Sequence, residues 1–221
     1  MAKLPFDKLN ILSHEEYFAP MRISKEEKEI RVRLAEDLEV VFMLVFFLIE
    51  SELFLNELED IGYYSDFLYR HYMSVIEPYA PDISNEAKKE IKTKTGDIIK
   101  STFRQIEDAR KTTDNETDFS NEVESVLSND RAVFDAQNKS NYVRNTEQIE
   151  KAIKDGYTKK EWLSMRDNRV RDTHWEVDGK IIPINDLFHV GGSWMAYPMD
   201  ASHGASLSEI VGCRCSLEFY K

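Results

Sequence analysis

Three residues in the last quarter of the chain are the best candidates for metal chemistry. His174 supplies an imidazole, and Cys213 and Cys215 supply two thiolates, the kinds of ligand that zinc prefers. These are the only two cysteines in the 221-residue sequence. A disulfide ring between residues i and i+2 is strained, so reduced thiols or a bound metal are expected. Candidates for a fourth ligand are His189, His203, Asp200 and Asp178.

The spacing of the cysteines leaves two interpretations open. Zinc ligands are more often spaced C-x-x-C than C-x-C, and only three good ligands are evident. Two cysteines on a strand are also explained as small, partly buried side chains. A small module with many loops is nevertheless stabilised by a metal, because site formation and folding are coupled. Structural zinc is therefore a hypothesis for this site.

A catalytic alternative uses the same residues. His174 and Glu176 form an H-x-E pattern, which with Cys213 and Cys215 is similar to the zinc deaminases. However, the cysteine pair is not C-x-x-C, no proline precedes it, and thirty-six residues separate Glu176 from Cys213. The sequence has no G-x-S-x-G, no phosphate-binding glycine loop and no H-E-x-x-H. A protein without a catalytic cycle is the favoured interpretation.

The residues around these candidates predict a compact structural module. Strands are expected at residues 162–165, 180–184 and 216–220, with the Asp178-Gly179 turn before the second strand. Arg166, Arg169, Arg171 and Arg214 are expected to pair with Asp167, Asp172, Asp178 or Glu147. A small aromatic core is expected from Trp162, Trp175, Trp194, Phe188 and Tyr197.

The remaining sequence is patterned for helices. Capping boxes at Ser13 and Ser24 predict a short helix and then one long helix that ends at Gly62. Further helices are predicted over residues 63–77, 85–110 and 119–153, the last with a break at 128–130. The fold class is α+β, with an elongated, mainly helical N-terminal region (1–115) and a second region (116–221). A loop-rich α+β module begins near residue 159.

A run of ten apolar residues, 40–49, lies inside the long predicted helix. It is too short to span a membrane, which needs about twenty apolar residues, and acidic residues flank it. A helix that is apolar all round is buried either in its own core or against a partner. Both remain open, with a slight preference for a partner surface made by Val40, Val41, Phe42, Leu44, Phe46 and Phe47.

The charge balance limits the classes of partner. The formal net charge of -12 repels phosphate backbones, so weak or no direct nucleic-acid binding is expected. The first residues lack a secretory signal, and we expect a protein of the cytoplasm.

The C-terminal motifs resemble the C-terminal domain of the Mu F-like minor capsid proteins, the phage head morphogenesis family. The resemblance rests on Trp162, Asp167, Arg169, Arg171, His174, Asp178, Gly179, Pro183, Tyr197, Pro198, Cys213, Arg214 and Cys215. Upstream, residues 144–147 (R-N-T-E) are similar to the family's R-T-E element, with Asn145 inserted. The motifs occupy roughly the last ninety residues.

This resemblance implies a low-copy protein of the virion head that acts in head assembly or DNA delivery. The implied partners are the portal or coat protein, and self-association is a further possibility. The implied location is the head interior, and the host cytoplasm during assembly. The remaining alternative is a prophage-encoded adaptor in which the same module binds something other than a capsid.

Overall fold

Helices make up most of the computed structural model, which describes residues 11–221. Within residues 11–221, six helices precede the first strand: α1 (His14–Phe18), α2 (Lys25–Leu55), α3 (Ile61–Ile76), α4 (Asn85–Thr112), α5 (Glu116–Val126) and α6 (Asn129–Lys154). Two one-turn helices, α7 (Asp172–Trp175) and α8 (Leu207–Ile210), lie among the strands that follow. The predicted α+β class, with a long helical region before a small strand-containing part, is confirmed.

In the described part of the chain, five short strands form two small antiparallel sheets. The strands are β1 (Lys159–Leu163), β2 (Ile181–Pro183), β3 (Phe188–Val190), β4 (Ser193–Met195) and β5 (Ser216–Tyr220). One sheet has the order β2-β1-β5, with Trp162 opposite Leu217, and the other is the β3-β4 hairpin. The predicted strands at 180–184 and 216–220 are confirmed, and β1 begins three residues before its predicted start. The hairpin was not predicted, because its Gly191-Gly192 turn was interpreted only as a loop.

Side-chain caps set the helix boundaries. Ser24, Asp60, Ser84, Asn115 and Ser128 each accept a backbone N–H from the first turn of the helix that follows. The break predicted at 128–130 is confirmed by Ser128, which caps α6. The predicted stop at Gly62 is wrong. α2 ends earlier because Asn56 adopts the left-handed conformation, and Gly62 donates its N–H to Asp60 inside the first turn of α3.

The long helix α2 has one buried face and one exposed face. Val41, Phe42 and Phe46 are buried in the core of this chain, which corrects the expectation that they form a partner surface. Val40 and Phe47 project from the opposite face and are exposed. Among the described residues, no helix has the length and apolar character needed to cross a membrane.

The larger of the two hydrophobic clusters formed by the described residues runs through both parts of the chain. It includes residues of α2, α3, α4 and α6 and continues to Trp162, Cys215 and Leu217 in the sheet. α6 packs along α2 and also contacts β5, so it is the element that joins the helices to the C-terminal module. The division at residue 115 stays a prediction.

A network of buried, hydrogen-bonded polar side chains lies between α2 and α6, and we call it the seam. Arg31 of α2 is fully buried and donates to Glu27 on its own helix and to Asn141 and Asn145 on α6. Arg144 of α6 donates two hydrogen bonds to the carboxylate of Glu27, from Nε to Oε1 at 3.0 Å and from Nη2 to Oε2 at 2.7 Å. Burial acts to raise the pKa of Glu27, but the hydrogen bonds and charges of the two arginines outweigh it, and the net pKa is lowered. Glu27 is therefore ionised at neutral pH.

Replacing Arg31 is expected to destabilise the whole chain. Arg31→Ala removes the buried partner of Glu27, Asn141 and Asn145, and breaking a buried ion pair costs about 3–5 kcal/mol. The measurement is urea denaturation followed by circular dichroism. Arg33→Ala, on the exposed side of the same helix, is the control and should change the free energy of unfolding by less than about 0.5 kcal/mol. Equal effects of the two variants would contradict this role of Arg31.

Candidate metal centre

The imidazole of His174 and the thiols of Cys213 and Cys215 meet in the interior of the module. One ligand atom from each residue lies within 4.8 Å of the others, and all three residues are buried. His174 Nδ1 is 3.3 Å from Cys215 Sγ and 3.7 Å from Cys213 Sγ. The cysteines do not form a disulfide. The sequence prediction that these three residues form one cluster agrees with this geometry, and the cluster could hold a metal.

Side chains of α6 form hydrogen bonds to the backbone of residues 212–215, which we call the cysteine segment. The side-chain amide of Asn141 donates to the carbonyls of Cys213 and Cys215 at 2.8 and 3.3 Å, and that of Asn145 donates to the Cys215 carbonyl at 3.1 Å. One turn earlier, Asn138 accepts the N–H of Gly212 at 2.7 Å. The three asparagines follow one another at helical spacing along α6. The segment is thus fixed by its main chain, which leaves both thiols free to face His174.

The distances in the cluster suit a tetrahedral zinc ion. With bonds of about 2.3 Å to sulfur and about 2.1 Å to nitrogen, tetrahedral geometry separates the nitrogen and a sulfur by about 3.6 Å. The two observed separations lie close to this value on either side. Three protein ligands leave one coordination position for another group.

The electrostatics of the cluster also suit a cation. The hydrogen bond from Cys215 lowers the pKa of Cys213 well below its usual value, and contact with His174 adds to this effect against the opposing effect of burial. Burial and the neighbouring Cys213 raise the pKa of Cys215. Cys213 is therefore the more acidic thiol of the pair, and a metal ion would displace the protons of the thiols that bind it.

Two residues lie beside the cluster: Glu209 was not predicted, and Trp162 was predicted only as a motif and aromatic-core residue. Glu209 of α8 lies 3.1 Å from His174 Nε2, on the opposite side of the ring from the thiols. Trp162 packs its ring edge-on to His174, with centroids 5.6 Å apart, and its buried indole N–H is directed at the thiol of Cys215. The charged thiolates of a metal site would accept weak hydrogen bonds from such a donor. No local sequence signal marks Glu209, because it lies thirty-five residues from His174.

None of the four predicted fourth ligands joins the cluster. Asp178 is occupied by Arg22, Arg166 and the N–H of Ser164. The other candidates have different surroundings: Asp200 accepts from Ala196, Ser202 and His203, and His189 is exposed and packs on Trp194. In the described part of the chain, the group of close metal-ligating atoms contains only the three residues given above. The structure therefore brings none of these candidates into the ligand group: Asp178 and Asp200 accept hydrogen bonds elsewhere, and His189 and His203 lie outside it.

A family model described as phage Mu protein F like protein matches residues 83–218, more than half of the chain. The chain belongs to the phage Mu protein F like family. The resemblance inferred from the C-terminal motifs is thus confirmed, and the matched region extends beyond them to include α4 and α5. Searches of the curated proteins and of the solved structures find no match. The family assignment makes this a phage head-related protein.

The arginines of the Mu F-like motifs mainly stabilise the loops through ion pairs and hydrogen bonds. Arg214 contacts both carboxylate oxygens of Asp167, at 2.8 and 2.7 Å, and Arg166 pairs with Asp178 at 2.7 Å. These two predicted pairings are present. Arg171 instead donates to the carbonyl of Val211. Arg169 donates its backbone N–H to Asp167, which closes the turn before α7.

The aromatic core is smaller than predicted. Trp162 and Phe188 are buried and pack 5.2 Å apart, and Tyr197 is partly buried against the core. Trp175 and Trp194 are exposed, which corrects their assignment to the core.

The R-N-T-E element and the turn residue of the family motif have clear structural roles. Asn145, the inserted residue, contacts Arg31 and the Cys215 carbonyl, so it joins the helices to the cysteine segment. Thr146 bonds back to Tyr142 on the same helix. Gly179 has a φ of 79° and donates its N–H to the carbonyl of Trp162 at 2.8 Å, which makes the turn into β2 possible.

Glu176 does not occupy the place that the deaminase interpretation requires. It is exposed and lies outside the ligand group, and the carboxylate that contacts His174 belongs to Glu209. The geometry therefore gives no support to Glu176 as a proton shuttle at this cluster.

Asp178 should give the module a measurable acid sensitivity. Burial acts to raise its pKa, but the hydrogen bonds from Ser164 and Arg166 and the charge of Arg22 lower it below the ordinary value of 3.8. The stabilisation is thus complete above about pH 4 and is lost as the pH falls through the lowered pKa. Asp178→Asn should cost about 1–3 kcal/mol at pH 7 and progressively less below pH 4, as measured by urea denaturation. Exposed Asp186→Asn is the control, and a pH-independent cost at position 178 would contradict the assignment.

Proposed function

We propose that the protein is a minor head protein that associates with the portal or the inner capsid surface, acts in head morphogenesis and DNA delivery, and has no catalytic cycle. The family match over residues 83–218 carries the proposal. It is supported by the arrangement of the motif residues, most of which hold loops and helices together. A protein of this kind needs a surface that docks on another head protein.

The exposed face of α2 is the best candidate for that docking surface. Six apolar side chains on this face are between 45% and 68% exposed, and we call them the α2 stripe: Val40, Met43, Leu44, Phe47, Phe54 and Leu55. They recur at three-, four- and seven-residue intervals, which places them on one side of the helix. A contiguous apolar surface of this kind is typical of a protein interface.

Charge indicates what kind of partner fits the α2 stripe. Glu36 and Asp37 are exposed on the same face at one end, and Glu57, Glu59 and Asp60 are exposed beyond the other end. Arg33 is exposed one turn before Glu36, but in either orientation a second copy would bring together more carboxylates than this cation can pair, which is unfavourable. The favoured occupant is therefore an apolar helix of the portal or coat protein with lysine or arginine at both ends. Self-association of the chain is the outcome that would contradict this choice.

Retention in particles tests the docking role. The chain is co-expressed with the portal and coat proteins of its source, and its copies per purified particle are counted by quantitative mass spectrometry. The wild-type chain should be retained at a few copies per particle. Phe47→Glu with Phe54→Glu should lower retention at least tenfold, because charges cannot be buried in an apolar interface without a partner.

Two controls make this experiment decisive. Ile153→Glu places the same charge on an exposed apolar position of α6 and should be retained like the wild type. All variants should keep the wild-type melting temperature. Absence of the wild-type chain from well-formed particles would refute the head role and favour the adaptor alternative. Normal retention of the double variant would refute only the α2 stripe.

We also propose that His174, Cys213 and Cys215 bind one structural zinc ion. The two nitrogen-to-sulfur separations, 3.3 and 3.7 Å in a buried site, support this assignment. The ion would hold α7 against the segment that leads into β5, where His174 Nδ1 lies 3.3 Å from Cys215 Sγ. In a loop-rich module such a link adds directly to the stability of the fold.

Zinc binding should appear as metal-dependent stability. At a hundredfold excess of free zinc over its dissociation constant, the folded wild type gains about 2.7 kcal/mol. A strong chelator should therefore lower its melting temperature, and should leave that of Cys213→Ser unchanged. Metal content by elemental analysis should be close to one zinc per wild-type chain. A wild-type chain without zinc, whose melting temperature does not respond to added zinc, would refute the site.

A further inference from the structure

Both ring nitrogens of His174 are engaged, and they face different chemistry. Nδ1 faces the two thiols, whereas Nε2 lies 3.1 Å from the Oε2 atom of Glu209. The same oxygen of Glu209 accepts a hydrogen bond from the hydroxyl of Thr173 at 2.7 Å. Glu209 is only 7% exposed. This buried carboxylate therefore contacts the imidazole ring at Nε2, on the side away from the thiols.

The carboxylate of Glu209 lies against Gly191, where the lack of a side chain leaves space for it. Gly191, in the turn of the β3-β4 hairpin, has a φ of 55°, and a Cβ atom built on it would lie 2.4 Å from Oε1 of Glu209. A side chain at position 191 would therefore have to displace the carboxylate of Glu209, and the positive φ independently favours glycine. Ser206 caps the short helix α8, which carries Glu209 to this place. The hairpin turn and α8 therefore enclose the carboxylate together.

A carboxylate in this position controls which nitrogen of the imidazole can bind a metal. A ring that donates its Nε2 proton to Glu209 has its Nδ1 lone pair directed at the thiols. Metal-ligating histidines commonly donate their second ring N–H to such a carboxylate or carbonyl, which fixes the tautomer and raises the basicity of the ligand atom. Since Glu209 lies on the far side of the ring, it acts through His174 and does not itself join the ligand group.

We propose that Glu209 is the positioning residue of the metal centre, which selects Nδ1 of His174 as the ligand atom. The proposal rests on zinc binding by His174, Cys213 and Cys215. It adds a specific function for α8 and for the Gly191 turn, neither of which supplies a ligand. It also gives the site an outer partner on the side away from the cysteines.

The first test compares zinc affinities by competition with a chromophoric chelator, using the full-length chain. Glu209→Gln should bind zinc about 10- to 100-fold more weakly than the wild type. Glu218→Gln, an exposed acidic residue of β5, is the matched control and should bind within twofold of the wild type. The melting temperature of the metal-free protein separates positioning from general stability. A positioning role predicts a change in affinity that exceeds any change in metal-free stability.

The second test reads the ligand atom directly and needs no variant. Nitrogen-15 NMR of the zinc-loaded wild type should report metal on Nδ1 of His174 and a proton on Nε2. Metal on Nε2 would overturn the proposal, because that nitrogen could not then donate to Glu209. This measurement decides the question even if Glu209→Gln does not fold.

The outcomes separate the two proposals. A wild-type chain that does not bind zinc refutes the metal centre and, with it, the role of Glu209. A wild-type chain that binds zinc, together with a Glu209→Gln variant of equal affinity, refutes only the positioning role. Weaker binding by Glu209→Gln combined with metal on Nδ1 supports both.

Discussion

The buried guanidinium of Arg31 is the constraint on which the arrangement of the chain depends. A charge removed from water must find acceptors, and Asn141 and Asn145 supply them through their amide oxygens. Once each oxygen faces Arg31, each amide nitrogen must point the other way, where it finds the carbonyls of Cys213 and Cys215. An arginine on the second helix thus determines the position of two cysteines near the end of the chain.

The candidate metal centre depends on this constraint from one side and on α8 from the other. α6 fixes the cysteines through their main chain, and Glu209 contacts the far nitrogen of His174. The ligands therefore come from segments about forty residues apart, yet each is held by contacts that do not involve the metal. A site built in this way has its donors close together before an ion binds, which lowers the cost of ordering them.

Local signals predicted most of the helical framework and only part of the site. Ser24 and Ser128 mark helix starts because capping is a short-range interaction, and His174, Cys213 and Cys215 could be grouped because zinc prefers their side chains. Three features were not predicted from the sequence. Asn56 ends α2 by its backbone conformation, half of the apolar run in α2 is covered by neighbouring helices, and Glu209 reaches His174 only through the tertiary fold. The last two outcomes depend on residues distant in sequence, whereas the Asn56 cap is local and was not predicted because glycine, at position 62, is the more common stop signal.

The two faces of α2 have different roles: one binds the matched family region, and the other is exposed. The match to the Mu F-like family begins at residue 83, so α2 lies outside it, whereas α6 and the cysteine segment lie within it. The inner face of α2 contributes Glu27 and Arg31, which bind α6, and the outer face carries the α2 stripe. A partner on the outer face would therefore approach without disturbing the seam. Because the seam is buried and ionic, it holds α2 on the family module, and the α2 stripe has a defined orientation relative to the cluster of His174, Cys213 and Cys215.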